Sequence, residues 1–465
     1  MQQSCRPKYE GSIIQTALMA TPLVGSRLLN ALNGFINMLF IARLGANALA
    51  ASALIFTVTS SLCLIMWTVL YSMAVIIGRA YGAGNKEEIG QILKAGMLLS
   101  LLLGLLFSLL FWHIDKVLLL LHQPRDLVIL ASPYFHVFSF GVIPNLFCVC
   151  FAEFVIGIMR ARLVIIWALF STPCNILLGY GLLFGKFGLP KLGLYGAAFA
   201  SSLTYWVLFL LLALYFCYNS KYKEFNLWNS KKVMAHCTTS IRYYFRKILT
   251  VGWPISLQLG AIALSYSFLT CMVGWIGTTA LTAHNITNQW TTLIIMVPYG
   301  IAQASGVLVA QALGKKQQRI MNVGLAGVLL GCVIVIMASF MYWFAPNLLI
   351  SAYLNSHDLV NNQIVYLTIL LMAVMGVIQF TDSIGVILTG ALRGFHDTTI
   401  PMLICIIMNW VLSIPLGYFF GFVIKMGAVG LYLGFALGSI CGAVLLSCRF
   451  RFLCNKHNNT ISAAF

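Results

Sequence analysis

The chain has 465 residues, a mean hydropathy of +0.94 and only 8% charged residues. So little charge cannot cover the surface of a water-soluble protein this long, which excludes soluble enzymes, nucleic-acid binders and secreted scaffolds. The net charge of +18 does not reopen the nucleic-acid reading, because Lys and Arg are parcelled into short loops between apolar runs, the pattern of membrane topology.

Twelve apolar runs are long enough to span hydrocarbon. In the first half they cover about 13–41, 50–78, 92–112, 130–158, 163–184 and 194–217. In the second they cover about 248–275, 280–312, 322–345, 362–391, 400–424 and 428–448. The runs are continuous rather than alternating, so they predict helices and not barrel strands. The first run is too long for a cleavable signal, and no small-residue cleavage site follows it.

With the N-terminus in the cytoplasm, 21 of the 28 Lys and Arg fall on the cytoplasmic side, 6 on the far side, and Arg27 inside a span. Both termini are therefore expected in the cytoplasm. The polar, basic stretch LWNSKKVMAHCTTSIRYYFRKIL reads as a linker with an interfacial amphipathic helix. It divides an N-lobe, 1–225, from a C-lobe, 248–465, with 226–247 between them.

The halves repeat. Pro22 and Pro254, Gly45 and Gly277, and Gly82 and Gly314 are each 232 residues apart. Later the offset becomes 234, setting Asn175 over Asn409, Gly193 over Gly427 and Gly196 over Gly430. Six spans per half bring both halves in from the same side, so their pseudo-twofold axis runs along the membrane normal. The expected fold is all-α and polytopic, with twelve transmembrane helices in two pseudo-symmetric six-helix lobes around a central cavity. Transporters that rock two lobes about a midplane site have this organisation.

The first span carries a polar stripe. On a helix turning about 100° per residue, Arg27, Asn30, Asn33, Gly34 and Asn37 fall within about a third of the circumference. Facing lipid, each polar group would cost several kcal/mol unless satisfied. The stripe therefore faces protein or water, and a solvated cavity accounts for it better than helix–helix glue alone.

Two of the ten carboxylates lie inside spans, Glu153 in the fourth and Asp382 in the tenth. Intramembrane acids are costly and mark function by default. Asp382 has Gln379 one turn before it, Thr389 two turns after it, and no Lys or Arg within a turn, as a proton-carrying acid requires. Glu153 and Arg27 lie at similar depths and are expected to form a buried ion pair. Trp67, Tyr71, Gln258, Tyr266, Gln289 and Trp290 are candidates for lining a cavity that takes flat organic molecules.

The thirteen cysteines show no CxxC and no Cys/His ligand spacing, and read as reduced, small apolar residues. No metal site, no cofactor beyond a coupling H+ or Na+, and no hydrolase motif such as HExxH or GxSxG is found. An intramembrane enzyme is therefore the weakest reading.

Five segments in order on this frame carry a resemblance: RLGANALAASAL, VIIGRAYGAGNKEEIG, GKFGLPKLGLYGAAFASSLTYW, GTTALTAHNI and GALRGFHDTTIP. Together they resemble the multidrug and toxic compound extrusion family, in its NorM-like bacterial branch, over essentially the whole chain. The resemblance implies two lobes around a V-shaped cavity and antiport of drug-like compounds against protons or sodium. It implies an integral protein of the bacterial inner membrane, monomeric, in contact with membrane lipids, small-molecule substrates and no nucleic acid. A flippase-like carrier of lipid-linked, anionic or zwitterionic substrates is the alternative within the same superfamily.

The chain departs from that pattern. The family's first-span acid falls on Asn37 and its seventh-span glutamate on Ile262. Its fifth-span asparagines fall on Asn175 and Gly179, and Glu153 is displaced from the usual fourth-span acid. The tenth-span aspartate is matched by Asp382. With two acids missing, coupling is expected to run on protons through Asp382 rather than on sodium.

Overall fold

A computed structural model describes residues 13–462 except 45, 220, 221, 223, 226–236, 319 and 354–361. The described residues are helical throughout, with no strands. The first half holds α1 (Ile13–Ala42), α2 (Ala46–Leu70), α3 (Ser72–Gly82), α4 (Lys86–Trp112), α5 (Ile114–Leu120), α6 (Arg125–Gly157), α7 (Arg162–Phe184) and α8 (Leu194–Tyr218). The second holds α9 (Cys237–Ile276), α10 (Thr278–Gly314), α11 (Ile320–Phe344), α12 (Pro346–Ser351) and α13 (Asn362–Gly394). It closes with α14 (Thr399–Val423) and α15 (Gly427–Ser462).

Eleven helical stretches among the described residues are long and apolar enough to cross a bilayer. The twelfth is α1, whose 30 residues suffice in length but whose arginine and asparagines dilute its apolar content. The second span is one stretch, Ala51–Gly82, interrupted at Tyr71. The ninth element begins at Cys237, well before the expected start at 248, so the basic segment runs straight into a 40-residue helix. The rest of the expected linker, 226–236, lies outside the described residues, and with it part of the amphipathic-helix expectation. The short helices α5 and α12 occupy stretches read from the sequence as loops.

By packing, the chain forms two compact units, Gly25–Ser256, and the segment up to Val24 together with Leu257–Phe465. Both division points fall two residues after an intrahelical proline, Pro22 in α1 and Pro254 in α9. Each proline removes a helical hydrogen bond and loosens its helix locally. The units differ from the sequence-based lobes mainly in these two helical stretches. Within Gly25–Ser256, α6 packs on α2, α3, α4 and α8, and α7 packs on α8. Within the other unit, α13 packs on α10, α11 and α15, and α14 packs on α15. The same arrangement thus occurs twice.

Close glycine contacts fix the residue-by-residue register of the repeat. A Cβ on Gly157 would meet Ile77 and the Ala74 carbonyl, and one on Gly394 would meet Val309 and the Gly306 carbonyl. Gly96 likewise faces Met73 and Cys150, where Gly327 faces Ser305 and Ile387. The α3/α10 match keeps the offset of 232, while the α6/α13 match runs at 237. Asp382 therefore corresponds to Asn145, and Glu153 to Gly390.

One sequence match needs correction. Gly196 packs on the Leu182 carbonyl, and its mate Gly430 packs on Phe420. Helices α7 and α14 are thus matched at 238, not 234, and Asn175 corresponds to Ser413 rather than Asn409. The cause is the connection that follows: Gly196 comes 14 residues after Leu182, whereas Gly430 comes 10 after Phe420, so an offset read beyond this turn does not hold before it.

Candidate functional site

In Gly25–Ser256 the polar stripe of α1 meets α7. Asn37 Nδ2 lies 3.0 Å from the Asn175 Oδ1, 3.0 Å from the Asn33 carbonyl and 3.2 Å from the Asn33 Oδ1. Asn175 Nδ2 in turn donates to Ser201 Oγ of α8 at 3.3 Å. Asn37 Oδ1 points at Gly179, 3.2 Å from where a side chain would begin there. These groups are amides and a hydroxyl, and none titrates near neutrality. Asn33 and Asn37 are half-buried and Asn30 is exposed, so the stripe lines an open face rather than a dry core. Arg27, also half-buried, holds its guanidinium carbon 5.8 Å from the centre of the Tyr71 ring.

Farther along the same unit, Trp67 Nε1 donates to Asn145 Oδ1 at 2.6 Å. Trp67 therefore packs on α6 through its indole N–H. Asn145 escaped sequence analysis because nothing marks a lone asparagine between apolar residues until its repeat mate is known to be Asp382. Glu153 is buried in α6 at 2% exposure.

The other unit carries the acid. Asp382 Oδ2 on α13 accepts a hydrogen bond from the Tyr266 hydroxyl on α9 at 2.6 Å. The Tyr266 ring is backed by Phe435 of α15, with ring centres 5.6 Å apart. The residue before Tyr266 on α9, Ser265, donates through Oγ to Asn409 Oδ1 at 3.3 Å, and Asn409 is held by the Cys405 carbonyl. Gln258 Nε2 contacts Cys405 Sγ at 3.0 Å, which makes it a buried tie between α9 and α14. Gln379, 1% exposed, accepts from the Tyr342 hydroxyl and donates to the Thr291 carbonyl. Thr389 donates to its own helix at Val386. The stripe expected around Asp382 thus divides: Tyr266 serves the acid, while Gln379 and Thr389 serve packing.

Among the other cavity candidates, Trp290 donates to the Leu349 carbonyl at 3.2 Å and packs edge-on against Tyr353. No group of three or more His, Cys, Asp or Glu able to hold a metal ion occurs among the described residues. The described cysteines are free. Cys63, Cys148, Cys150 and Cys454 are buried as small apolar residues, whereas Cys271 stands exposed on its helix.

Twofold-repeated helical bundles with two acids, Glu153 and Asp382, and an amide cluster inside the spans define a polytopic membrane transporter and not an enzyme. The chain belongs to the MatE family, whose model matches residues 22–181 and 254–419. It is 28% identical to a probable multidrug resistance protein NorM of Synechocystis sp., over 93% of each chain. A probable NorM of Deinococcus radiodurans is 30% identical over 93% of this chain and 94% of its own. Among solved structures, an outward-facing multidrug resistance MATE family transporter of the MOP superfamily superposes with a TM-score of 0.85 at 19% identity, covering 96% of each chain. A MOP superfamily transporter from Pyrococcus furiosus, described as having a binding pocket of reverse polarity, gives 0.82 at 20% identity, again over 96% of each.

Proposed function

We propose that this protein exports small organic, drug-like molecules by ion-coupled antiport, with protons as the coupling ion in preference to sodium. The carrying observation is Asp382, an acid within a transmembrane helix whose carboxylate is held by one phenol, Tyr266. A proton needs one such group. Sodium needs a cage of several oxygens and gains from more than one carboxylate. Here Asn37 and Ile262 stand where further acids would supply it.

Alternating access proceeds between lobes 1–225 and 248–465, joined by 226–247, with Arg27, Asn30, Asn33, Asn37 and Asn175 as the candidate substrate contacts of the first and Tyr266 as that of the second. Both termini face the cytoplasm of a bacterial inner membrane, and the protein works as a monomer among lipids. Drug-like substrates follow from the names of the NorM relatives. Arg27 supports a second reading, in which the substrate is anionic, zwitterionic or lipid-linked.

Purified protein in proteoliposomes tests this. A proton or a sodium gradient is imposed separately while a fluorescent cationic dye is followed. Proton-driven movement that Asp382→Asn abolishes is the expected result. Undiminished transport in Asp382→Asn overturns the coupling assignment, sodium-driven movement overturns the ion, and no movement of the cation under either gradient turns the substrate reading toward Arg27 and the flippase-like class.

A further inference from the structure

His284 is a buried titratable group that this mechanism does not use. His284, 3% exposed near the start of α10, makes two side-chain hydrogen bonds to two other helices. Its Nε2 is 2.9 Å from Thr270 Oγ1 on α9, and its Nδ1 is 2.7 Å from the Tyr432 hydroxyl on α15. Thr270 spends its single hydroxyl proton on the Tyr266 carbonyl at 3.0 Å. Thr270 can therefore only accept from the imidazole, so the proton sits on Nε2 and Nδ1 accepts from Tyr432.

Two parallel rows result. Thr270, His284 and Tyr432 form one, joining α9, α10 and α15. One turn away on α9 and on α15, Tyr266 and Phe435 form the other, and its end is Asp382. The titratable group in contact with the imidazole is Tyr432 of α15; Tyr432 in turn neighbours Tyr342 of α11 and Tyr266 of α9, and Tyr266 neighbours Tyr299 of α10 and Asp382 of α13. We propose that His284 is a positioning residue. As a neutral imidazole it clamps α9 to α15 one turn from the acid, and so sets the register in which the Tyr266 hydroxyl reaches Asp382.

This inference rests on Asp382 being the coupling acid only for its consequence in transport, and the test reads it without transport. The carboxylic acid C=O band of purified protein is followed by infrared spectroscopy across a pH titration. The band belonging to Asp382 is the one that Asp382→Asn removes. Tyr266→Phe displaces its midpoint. His284→Phe and Tyr432→Phe, the latter removing a single oxygen, are expected to displace it in the same direction. The pair Tyr266→Phe with His284→Phe should show no more than Tyr266→Phe alone. His284→Gln, which keeps a donor and an acceptor, is expected to return the midpoint toward wild type.

A wild-type midpoint in both His284→Phe and Tyr432→Phe overturns the inference, as does a midpoint that Tyr266→Phe leaves in place. Failure of the coupling reading is separate, since it shows only as proton-driven transport surviving in Asp382→Asn.

Discussion

Arg27 and Glu153 are opposite charges inside the spans of the first unit. Glu153 is buried in α6, and its repeat mate is Gly390, so no second acid stands at the equivalent place. A buried carboxylate without compensation costs several kcal/mol, and breaking a buried pair costs about 3–5 kcal/mol. If Glu153 neutralises Arg27, Arg27→Glu and Glu153→Arg should each lose dye export in proteoliposomes, and the double exchange should recover it. No recovery in the double variant counts against the pair and leaves Arg27 as a charge presented to substrate. Gly390 itself is a matter of space. A Cβ there would lie 2.2 Å from the Ala302 carbonyl oxygen. Gly390→Ala is therefore expected to cost about 1–3 kcal/mol through overpacking of α13 on α10. It should lower the unfolding midpoint in detergent, whereas Gly34→Ala, with open space around it, should not.

Between elements, Arg449–Asp397 and Lys86–Glu224 are ion pairs of different kinds. Arg449 Nε of α15 donates to Asp397 at 2.8 Å, with side chains 25% and 14% exposed. Lys86 and Glu224 meet at 2.5 Å but are 59% and 58% exposed. A charge-assisted bond with limited water access contributes about 1.5–3 kcal/mol. Asp397→Asn should therefore lower the thermal midpoint of the detergent-solubilised protein. Lys86→Ala should leave it unchanged, because water screens that pair. Lys86 does hold the Glu224 carboxyl below its ordinary range. Any contribution from that pair is present above the unfolded-chain pKa and fades as the pH falls through the folded one.

The helices themselves were legible in the sequence because twelve apolar runs between basic loops admit little else. Asp382 and the Asn stripe were legible because polar groups inside spans are rare. The partners were not. Tyr266 meets Asp382 across 116 residues and Asn37 meets Asn175 across 138, and no local periodicity encodes such distances. The match of Asn175 with Asn409 failed for a related reason. The turn between α14 and α15 is four residues shorter than its mate between α7 and α8, so an offset read from the glycines beyond it fails for the helix before it.

Across the molecule, the two repeats share a frame and differ in charge. Where one unit places Asp382 against Tyr266, the other places Asn145 against Trp67. Where an acid would complete the Asn33, Asn175 and Ser201 cluster, it has Asn37. On the proposed coupling through Asp382, with Asn145 and Asn37 in place of further acids, one proton is carried per cycle. Exchange of one proton for one monovalent cation moves no net charge. The membrane potential should then leave dye accumulation unchanged when valinomycin and potassium clamp it in proteoliposomes, and only the pH difference should drive it. Asn37→Asp adds a second ionisable group among three oxygen donors. If it couples, each turnover carries one further charge, on which 100 mV acts with about 2.3 kcal/mol. At about 1.4 kcal/mol per tenfold change, that is roughly a 50-fold change in the steady-state dye gradient. Potential-sensitive accumulation already present in the wild type would show that a second charge moves, and that the neutral half is not a bystander in coupling.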